Sequence, residues 1–289
     1  MRLELKKSFS DDAALRAEFD ELAKKTFQLS FESWYQAGWW QKNYLPYTLF
    51  CGEKATANVS VNPMKFRLDG QGRSAVQLGT VMTAPEYRGK GLSAFLTQTV
   101  LMEHRGACDW MFLFANRNVL GFYPRFGFLR TREYRCSLPA AGGFETAQRM
   151  DLSKPADFAR FRSCYEQSNP FSALTMEQNL SLMMFYLSSF LKDSVFFVPE
   201  EKAVVIAEND GDKMLCYDIF CPAGKDREAI LRAAAKKEVR TIEFGWFPKE
   251  AAGCRVEPID DEDNALFLLR GNEPPFAERP LRFPLLCHT

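Results

Sequence analysis

The sequence predicts an α/β fold in which a mixed, mostly antiparallel sheet is flanked by helices, with this arrangement present twice along the chain. Three observations lead to the prediction. Strand-like runs and runs of helical spacing alternate throughout the 289 residues. Turns rich in glycine and aspartate separate consecutive strand-like runs closely enough for antiparallel pairing. The order strand, helix, helix, three strands, helix, strand occurs twice, with little residue identity between the copies.

The first half supplies one copy of this order. Residues 10–28 have helical spacing, and the aromatic-rich stretch that follows predicts one or two short helices ending before Pro46. The remaining elements are an antiparallel meander over 47–53, 55–68 and 74–84, a helix over 92–106, a buried strand over 109–116, a short helix over 116–127 and a strand pair within 128–138.

The turn-rich stretch 139–148 is the predicted linker, so we expect one domain over 1–138 and a second over 149–289. The predicted elements of the second half are a strand and helix within 150–167, an apolar helix over 175–191, strands over 194–200, 202–210 and 213–221, a helix over 225–239 and a strand over 240–247.

The composition limits the classes of partner. Lys and Arg together number 37, as do Asp and Glu, so no overall charge favours nucleic acid or an anionic membrane. The eight cysteines form no CxxC pair and there are two histidines, so we expect no metal site. No apolar stretch has the length of a membrane helix. We therefore expect a cytoplasmic monomer or homodimer.

The segment Arg88–Ser93 carries the clearest functional signal. A strand runs into Pro85, and glycines 89 and 91 then open a helix. Glycine lets the backbone approach a ligand closely, and the first helical turn offers free N–H groups with partial positive charge. Arg88 and Lys90 add two cations and Ser93 a hydroxyl, which together suit a diphosphate.

Other phosphate-binding motifs fit less well. A P-loop requires GxxxxGK[ST], which is absent. A dinucleotide fingerprint requires GxGxxG, but Ala94 occupies the third glycine position. The variant GxGxxA is compatible with these residues. The argument against it is structural, because the strands predicted before the loop are antiparallel and the dinucleotide fold has a parallel sheet.

The segment Arg88-Gly89-Lys90-Gly91-Leu92-Ser93 resembles the [Q/R]-x-x-G-x-[G/A] signature of the GNAT superfamily, with Ser93 departing from its last position. A second GNAT motif, N-x6-Y-x3-G-F, is matched by Asn116, Tyr123, Gly127 and Phe128. The resemblance covers about residues 1–138. It implies a GNAT fold and an N-acetyltransferase that moves an acetyl group from acetyl-CoA to a primary amine of a small molecule or peptide by direct transfer.

The resemblance also implies roles for individual residues. The amides of Arg88 to Ser93 (Arg88, Gly89, Lys90, Gly91, Leu92, Ser93) would hold the pyrophosphate. The backbone of Val81, Met82 and Thr83 would pair with the pantetheine arm, which Asn116 would also contact. Tyr123 would protonate the departing thiolate, since a phenol can serve as that acid.

The base and the acceptor site are less determined. Glu86 is our catalytic candidate for the base, with Glu53 and Glu133 as alternatives by topology. In some multidomain relatives the terminal carboxylate enters the site, which makes Thr289 a further candidate. Trp34 and Tyr35, in an aromatic cluster that could also be ordinary packing, are the predicted acceptor-binding residues.

The second half contains no such signature. At the corresponding junction, Asp226 and Glu228 would repel a diphosphate, so a second GNAT-like domain there would lack CoA binding. Two alternatives remain open: a non-catalytic acyl-CoA-binding regulatory module, and an aminoacyl transferase of the tandem type that uses charged tRNA.

Overall fold

The computed structural model describes residues 2–271 and 279–289. The helices are α1 (Ala13–Phe27), α2 (Glu32–Gln36), α3 (Leu92–His104), α4 (Pro155–Tyr165), α5 (Leu180–Leu187) and α6 (Arg227–Ala234). Strands of the first half are β1 (Leu3–Lys7), β2 (Leu45–Cys51), β3 (Lys54–Leu68), β4 (Gln71–Thr83), β5 (Trp110–Ala115), β6 (Phe128–Arg130) and β7 (Tyr134–Pro139). Those that follow are β8 (Gln148–Arg149), β9 (Leu174–Glu177), β10 (Val195–Val198), β11 (Ala203–Asp210), β12 (Lys213–Phe220), β13 (Thr241–Phe244), β14 (Arg255–Pro258) and β15 (Ala265–Leu269). Short 3₁₀ turns cover Pro85–Tyr87, Arg117–Val119, Tyr123–Phe126 and Leu285–Cys287.

The strands form two mixed sheets. In the first, the order is β1-β2-β3-β4-β5-β15-β6, with β9 pairing with β3 as well. Strands β2, β3 and β4 form the predicted antiparallel meander, and β5 then lies parallel to β4 after the α3 crossover. This parallel step needs a crossover connection, which α3 supplies.

The second sheet repeats this pattern. Its order is β14-β7-β13-β12-β11-β10-β8. Strands β10, β11 and β12 are antiparallel, and β13 lies parallel to β12 after the α6 crossover. The predicted α/β fold with mostly antiparallel sheets is confirmed, and the recurrence is compatible with a duplicated fold.

The two sheets exchange strands. Strand β15, from late in the chain, lies between β5 and β6 of the first sheet. Strand β7, from the first half, lies between β13 and β14 of the second. The predicted pairing of two strands within 128–138 is therefore wrong, because β6 and β7 join different sheets. The strands also do not divide at the linker 139–148, which instead bonds along the end of α6, with Phe144 N donating to Arg232 O at 2.7 Å.

One predicted helix is shorter than expected. The pattern over 175–191 predicts a single apolar helix, but the chain is a strand through Glu177 and becomes helical at Leu180. Gln178 has a φ of 54°, which interrupts both elements. Asn179 then caps α5, with its side chain accepting from Leu182 N. Apolar spacing alone does not reveal this break.

The second half packs against the first helices through α5. Phe31 stacks on Phe185 with ring centroids 5.4 Å apart, and Trp34 Nε1 donates to Ser181 O at 2.8 Å. The aromatic residues after α1 therefore form one buried cluster with α5. Helix α5, from the second half of the chain, therefore lies against the aromatic cluster of the first half. None of the described helices has the length and apolarity needed to cross a membrane.

Candidate active site

A cleft opens in the first sheet where β4 and β5 diverge. Their pairing ends at Gln77 and Phe112, although β4 continues to Thr83 and β5 to Ala115. The space between the separated ends has a volume of about 590 Å³. Its lining residues are Thr26, Phe27, Leu78, Gly79, Thr80, Val81, Met82, Thr83, Arg88, Ser93, Phe114, Ala115, Asn116, Asn118, Val119, Phe122, Tyr123 and Thr289.

A β-bulge at Thr80 contributes to this divergence. Between the pairs formed by Asn58 and Ser60, the register of β4 gains one residue, and Thr80 has a φ of 46°. Asn58 Nδ2 donates to Thr80 O and Tyr44 Oη donates to Thr80 Oγ1, each at 2.8 Å. A bulge bends its strand and ends regular pairing. The backbone of Val81–Thr83 consequently faces the cleft without pairing with β5.

One end of the cleft is the N-terminus of α3. Gly89 and Gly91 have φ values of 73° and 77°, which side-chain-bearing residues rarely adopt, and no side chain caps the helix. Arg88 and Lys90 are exposed there, with Lys90 Nζ 4.7 Å from the centre of the Tyr87 ring. Ser93 Oγ lies 2.6 Å from Thr83 Oγ1. Free amides, a helix dipole and two cations could hold an anion here.

The corresponding junction in the second sheet differs. At the start of α6, the Asp226 carboxylate accepts hydrogen bonds from Glu228 N at 2.8 Å and Ala229 N at 3.2 Å. A side chain of the protein thus occupies the amides that are free in α3. This supports the interpretation that, of these two junctions, the one at the start of α3 binds a diphosphate and the one at the start of α6 does not.

Asn116 and Tyr123 of the second motif lie farther along the same cleft. Tyr123 is 4% exposed, and burial raises its pKa well above the usual phenol value. The hydroxyl is therefore protonated at neutral pH. Asn116 follows β5, and its Oδ1 accepts from Asn118 N at 3.1 Å. Tyr123 and residues at the start of α3 therefore line the same cleft.

The other predicted site residues are more dispersed. Glu86 lies exposed on the 3₁₀ turn before α3 and does not line the cleft. Trp34 lines a small apolar cavity next to the cleft. Tyr35 instead packs under Arg16, whose guanidinium carbon is 3.7 Å from the ring centre. Among the described residues that line the cleft there is no Asp, Glu or His side chain.

The last residues of the sequence enter the cleft, an approach that local sequence patterns do not reveal. Thr289 Oγ1 lies 2.9 Å from Asn62 Nδ2 and 2.8 Å from the Gln77 side-chain amide. The preceding His288 ring stacks on Phe114 with centroids 3.6 Å apart. This segment fills the opening between β4 and β5 at its narrow end. The resemblance to multidomain relatives was the only signal that pointed to Thr289.

Gly79 leaves the space that the C-terminal segment occupies. A Cβ at Gly79 would lie 2.1 Å from Thr289 Oγ1 and 2.7 Å from its backbone oxygen. We expect Gly79→Ala to lower the free energy of unfolding by about 1–3 kcal/mol, because the segment must shift. Urea unfolding measures this loss, and deleting Thr289 in the variant should recover most of it. Gly72→Ala in the same strand, where a Cβ meets open space, is the control. Equal losses at both glycines would refute the contact.

The segment is also anchored at a buried carboxyl group. Glu133 Oε1 accepts from Phe283 N at 2.8 Å, and burial raises the pKa of Glu133 to about 7. Since the folded state favours the protonated form, this group's contribution to stability is complete below about pH 4.5 and is lost as pH rises to about 7.

Glu133→Gln should therefore gain stability relative to the wild type as pH rises, by about 3 kcal/mol between pH 4.5 and 8. Urea unfolding at several pH values provides the measurement. Glu238→Gln, at an exposed position, should show a constant difference. A constant difference for Glu133→Gln would show that its carboxyl group titrates alike in the folded and unfolded chains.

Comparisons with known proteins indicate the class of protein, an acyltransferase. The model of the GNAT acetyltransferase domain family matches residues 16–130. The matched range includes residues 88–93, which we call the α3 loop, as well as Asn116 and Tyr123. The resemblance noted from the two motifs is confirmed.

Solved structures share the fold over nearly the whole chain. A probable N-acyltransferase from Enterococcus faecalis V583 has a TM-score of 0.61 at 13% identity, with 93% of this chain and 72% of that chain covered. A GCN5-related N-acetyltransferase from Kribbella flavida has a TM-score of 0.56 at 17% identity, covering 92% and 71%. Eis1 from Mycobacterium abscessus has a TM-score of 0.54 at 14% identity, covering 92% and 73%. A comparison with curated protein sequences finds no match.

Proposed function

We propose that the protein is an acetyl-CoA-dependent N-acetyltransferase acting on a primary amine of a small molecule or peptide. Direct transfer takes place in a ternary complex of enzyme, donor and acceptor. The observation that carries this proposal is the continuity of the cleft, which joins the uncapped start of α3 to the buried hydroxyl of Tyr123.

The donor would lie along β4. The amides of residues 88–93 and the cations Arg88 and Lys90 would bind the pyrophosphate, as anions bind at helix N-termini. The backbone of Val81–Thr83 would pair with the amides of the pantetheine arm, since this edge does not pair with β5. Asn116 would contact the same arm from the end of β5. The thioester would then lie toward Tyr123.

The reaction forms a C–N bond and breaks a C–S bond. The neutral amine attacks the thioester carbonyl, and the departing sulfur takes its proton from Tyr123. The raised pKa of Tyr123 keeps that proton available at neutral pH. The acceptor nitrogen also has to lose a proton, which leaves through a base or through water.

The candidates for that base differ in their access to the cleft. Glu86 and Glu53 are exposed, and Glu133 is buried with its carboxyl group accepting from Phe283 N, so each would need intervening water. Thr289 itself lines the cleft. In a chain that ends at Thr289, its carboxylate is the best-placed base. Extending the chain by two alanines should then lower kcat for a primary amine, while an unchanged kcat would leave Glu86 acting through water as the base.

Steady-state kinetics test the proposal directly. With a panel of primary amines, acetylated product should appear with release of an equal amount of CoA, and double-reciprocal plots should intersect as expected for a ternary complex. Absence of acetyl transfer to every amine despite acetyl-CoA binding would favour a non-catalytic acyl-CoA-binding module. Parallel plots would show transfer through an acetylated enzyme and would contradict the mechanism.

A further inference from the structure

A small apolar cavity adjoins the cleft on the side of α2 and α5. Its volume is about 130 Å³. The residues that line it are Phe27, Leu29, Phe31, Trp34, Tyr44, Thr80, Leu182, Phe185 and Thr289. We call this cavity the apolar chamber. Leu182 and Phe185 come from α5, so the second half of the chain supplies one wall.

The polar atoms of its aromatic residues are already paired. Trp34 Nε1 donates to Ser181 O and Tyr44 Oη donates to Thr80 Oγ1, each at 2.8 Å. What these residues present to the chamber is the hydrocarbon of their rings. Among the described lining residues, no side chain is charged. A charged group placed there would lose its hydration without gaining an ionic partner among these side chains.

The chamber borders the cleft. Phe27, Thr80 and Thr289 line both spaces. A molecule whose amine lies in the cleft can therefore extend its other end into the chamber. An apolar cavity of about 150 Å³ is sufficient to bind benzene in another protein. The chamber thus suits one aromatic ring or a branched alkyl group of similar size.

We propose that the apolar chamber binds the uncharged, apolar end of the acceptor, and that the acceptors are primary amines carrying a single aromatic or branched alkyl group. This inference rests on the proposed function, because it assigns the acceptor of that same site. It also gives the second half of the chain a role in acceptor selection through α5. Polyamines and other multiply charged amines are disfavoured, because the side chains of the chamber offer no ionic partner to a second ammonium group.

Binding and turnover of defined amines test this inference separately. Isothermal titration in the presence of CoA compares 2-phenylethylamine with ethylamine and spermidine, and kinetics with acetyl-CoA use the same amines. We expect 2-phenylethylamine to bind at least 10-fold more tightly than either of the others. Leu29→Trp, which fills the chamber from its partly buried rim, should remove most of this preference.

A second variant enlarges the chamber. Phe185→Ala should shift the preference at least 10-fold toward 2-(1-naphthyl)ethylamine relative to 2-phenylethylamine. Leu129→Trp and Phe144→Ala, at exposed positions outside the chamber, are the matched controls and should leave both preferences unchanged. Hexanoyl-CoA is included to distinguish an acceptor site from a site for a long acyl chain.

The outcomes separate the two proposals. If 2-phenylethylamine binds with the expected preference and is not acetylated, the chamber stands and the proposed function fails. If amines are acetylated without any preference for the aromatic one, or Leu29→Trp has no effect on that preference, the proposed function stands and the chamber assignment is overturned. Tighter binding of hexanoyl-CoA than acetyl-CoA, lost in Leu29→Trp, would also overturn it.

Discussion

Gly91→Asp is expected to weaken acetyl-CoA binding at least 100-fold. The φ of 77° at Gly91 strains any residue with a side chain, at a cost of roughly 1–2 kcal/mol. The new carboxylate would also repel the pyrophosphate at the start of α3, and like charges brought together cost several kcal/mol. About 2.7 kcal/mol corresponds to 100-fold, so the charge repulsion alone is enough, whereas the backbone strain lowers the stability of the free and the bound protein alike. Isothermal titration with acetyl-CoA measures the change.

The matched control for this variant is Gly211→Asp. Gly211 has a φ of 54°, and a Cβ added there would meet open space, as it would at Gly91. Gly211 lies in the turn between β11 and β12, away from the α3 loop. The control variant should lose stability to a similar extent and retain acetyl-CoA affinity. Equal affinity in Gly91→Asp and the wild type would show that the α3 loop does not hold the donor.

Tyr123→Phe is expected to lower kcat by about 10²–10⁴-fold, with little change in acetyl-CoA affinity. The variant keeps the buried ring and removes the proton donor, and a general acid contributes about this much to a rate. Stopped or continuous assay of CoA release gives kcat, and titration gives the affinity. Tyr165→Phe, a partly buried tyrosine in α4 whose hydroxyl accepts from Asn179 N, should retain full kcat. Full activity in Tyr123→Phe would show that another group or water protonates the thiolate.

The local elements of the site could be predicted because their signals are local. Glycines 89 and 91, the cations beside them and the helical spacing of α3 all lie within one short segment, and the structure shows an uncapped helix N-terminus there. The meander of β2 to β4 follows from turns between consecutive strands. Asn116 and Tyr123 follow β5 directly, so motif spacing was enough to place them near the cleft.

Contacts between distant segments were not predictable from the same patterns. The insertion of β15 beside β5 joins residues about 150 positions apart, and nothing in the periodicity of either strand specifies its partner. The approach of Thr289 to Gly79 depends on that same long-range packing. The aromatic spacing likewise does not specify that Trp34 lines the apolar chamber while Tyr35 packs against Arg16.

A crystal structure of the protein with bound CoA tests the central claim most directly. Our account predicts that the pyrophosphate lies within hydrogen-bonding distance of the amides of residues 88–93, that the pantetheine arm follows Val81–Thr83, and that the sulfur lies beside Tyr123 Oη. Pyrophosphate bound at the start of α6, or a pantetheine arm outside the opening between β4 and β5, would contradict it.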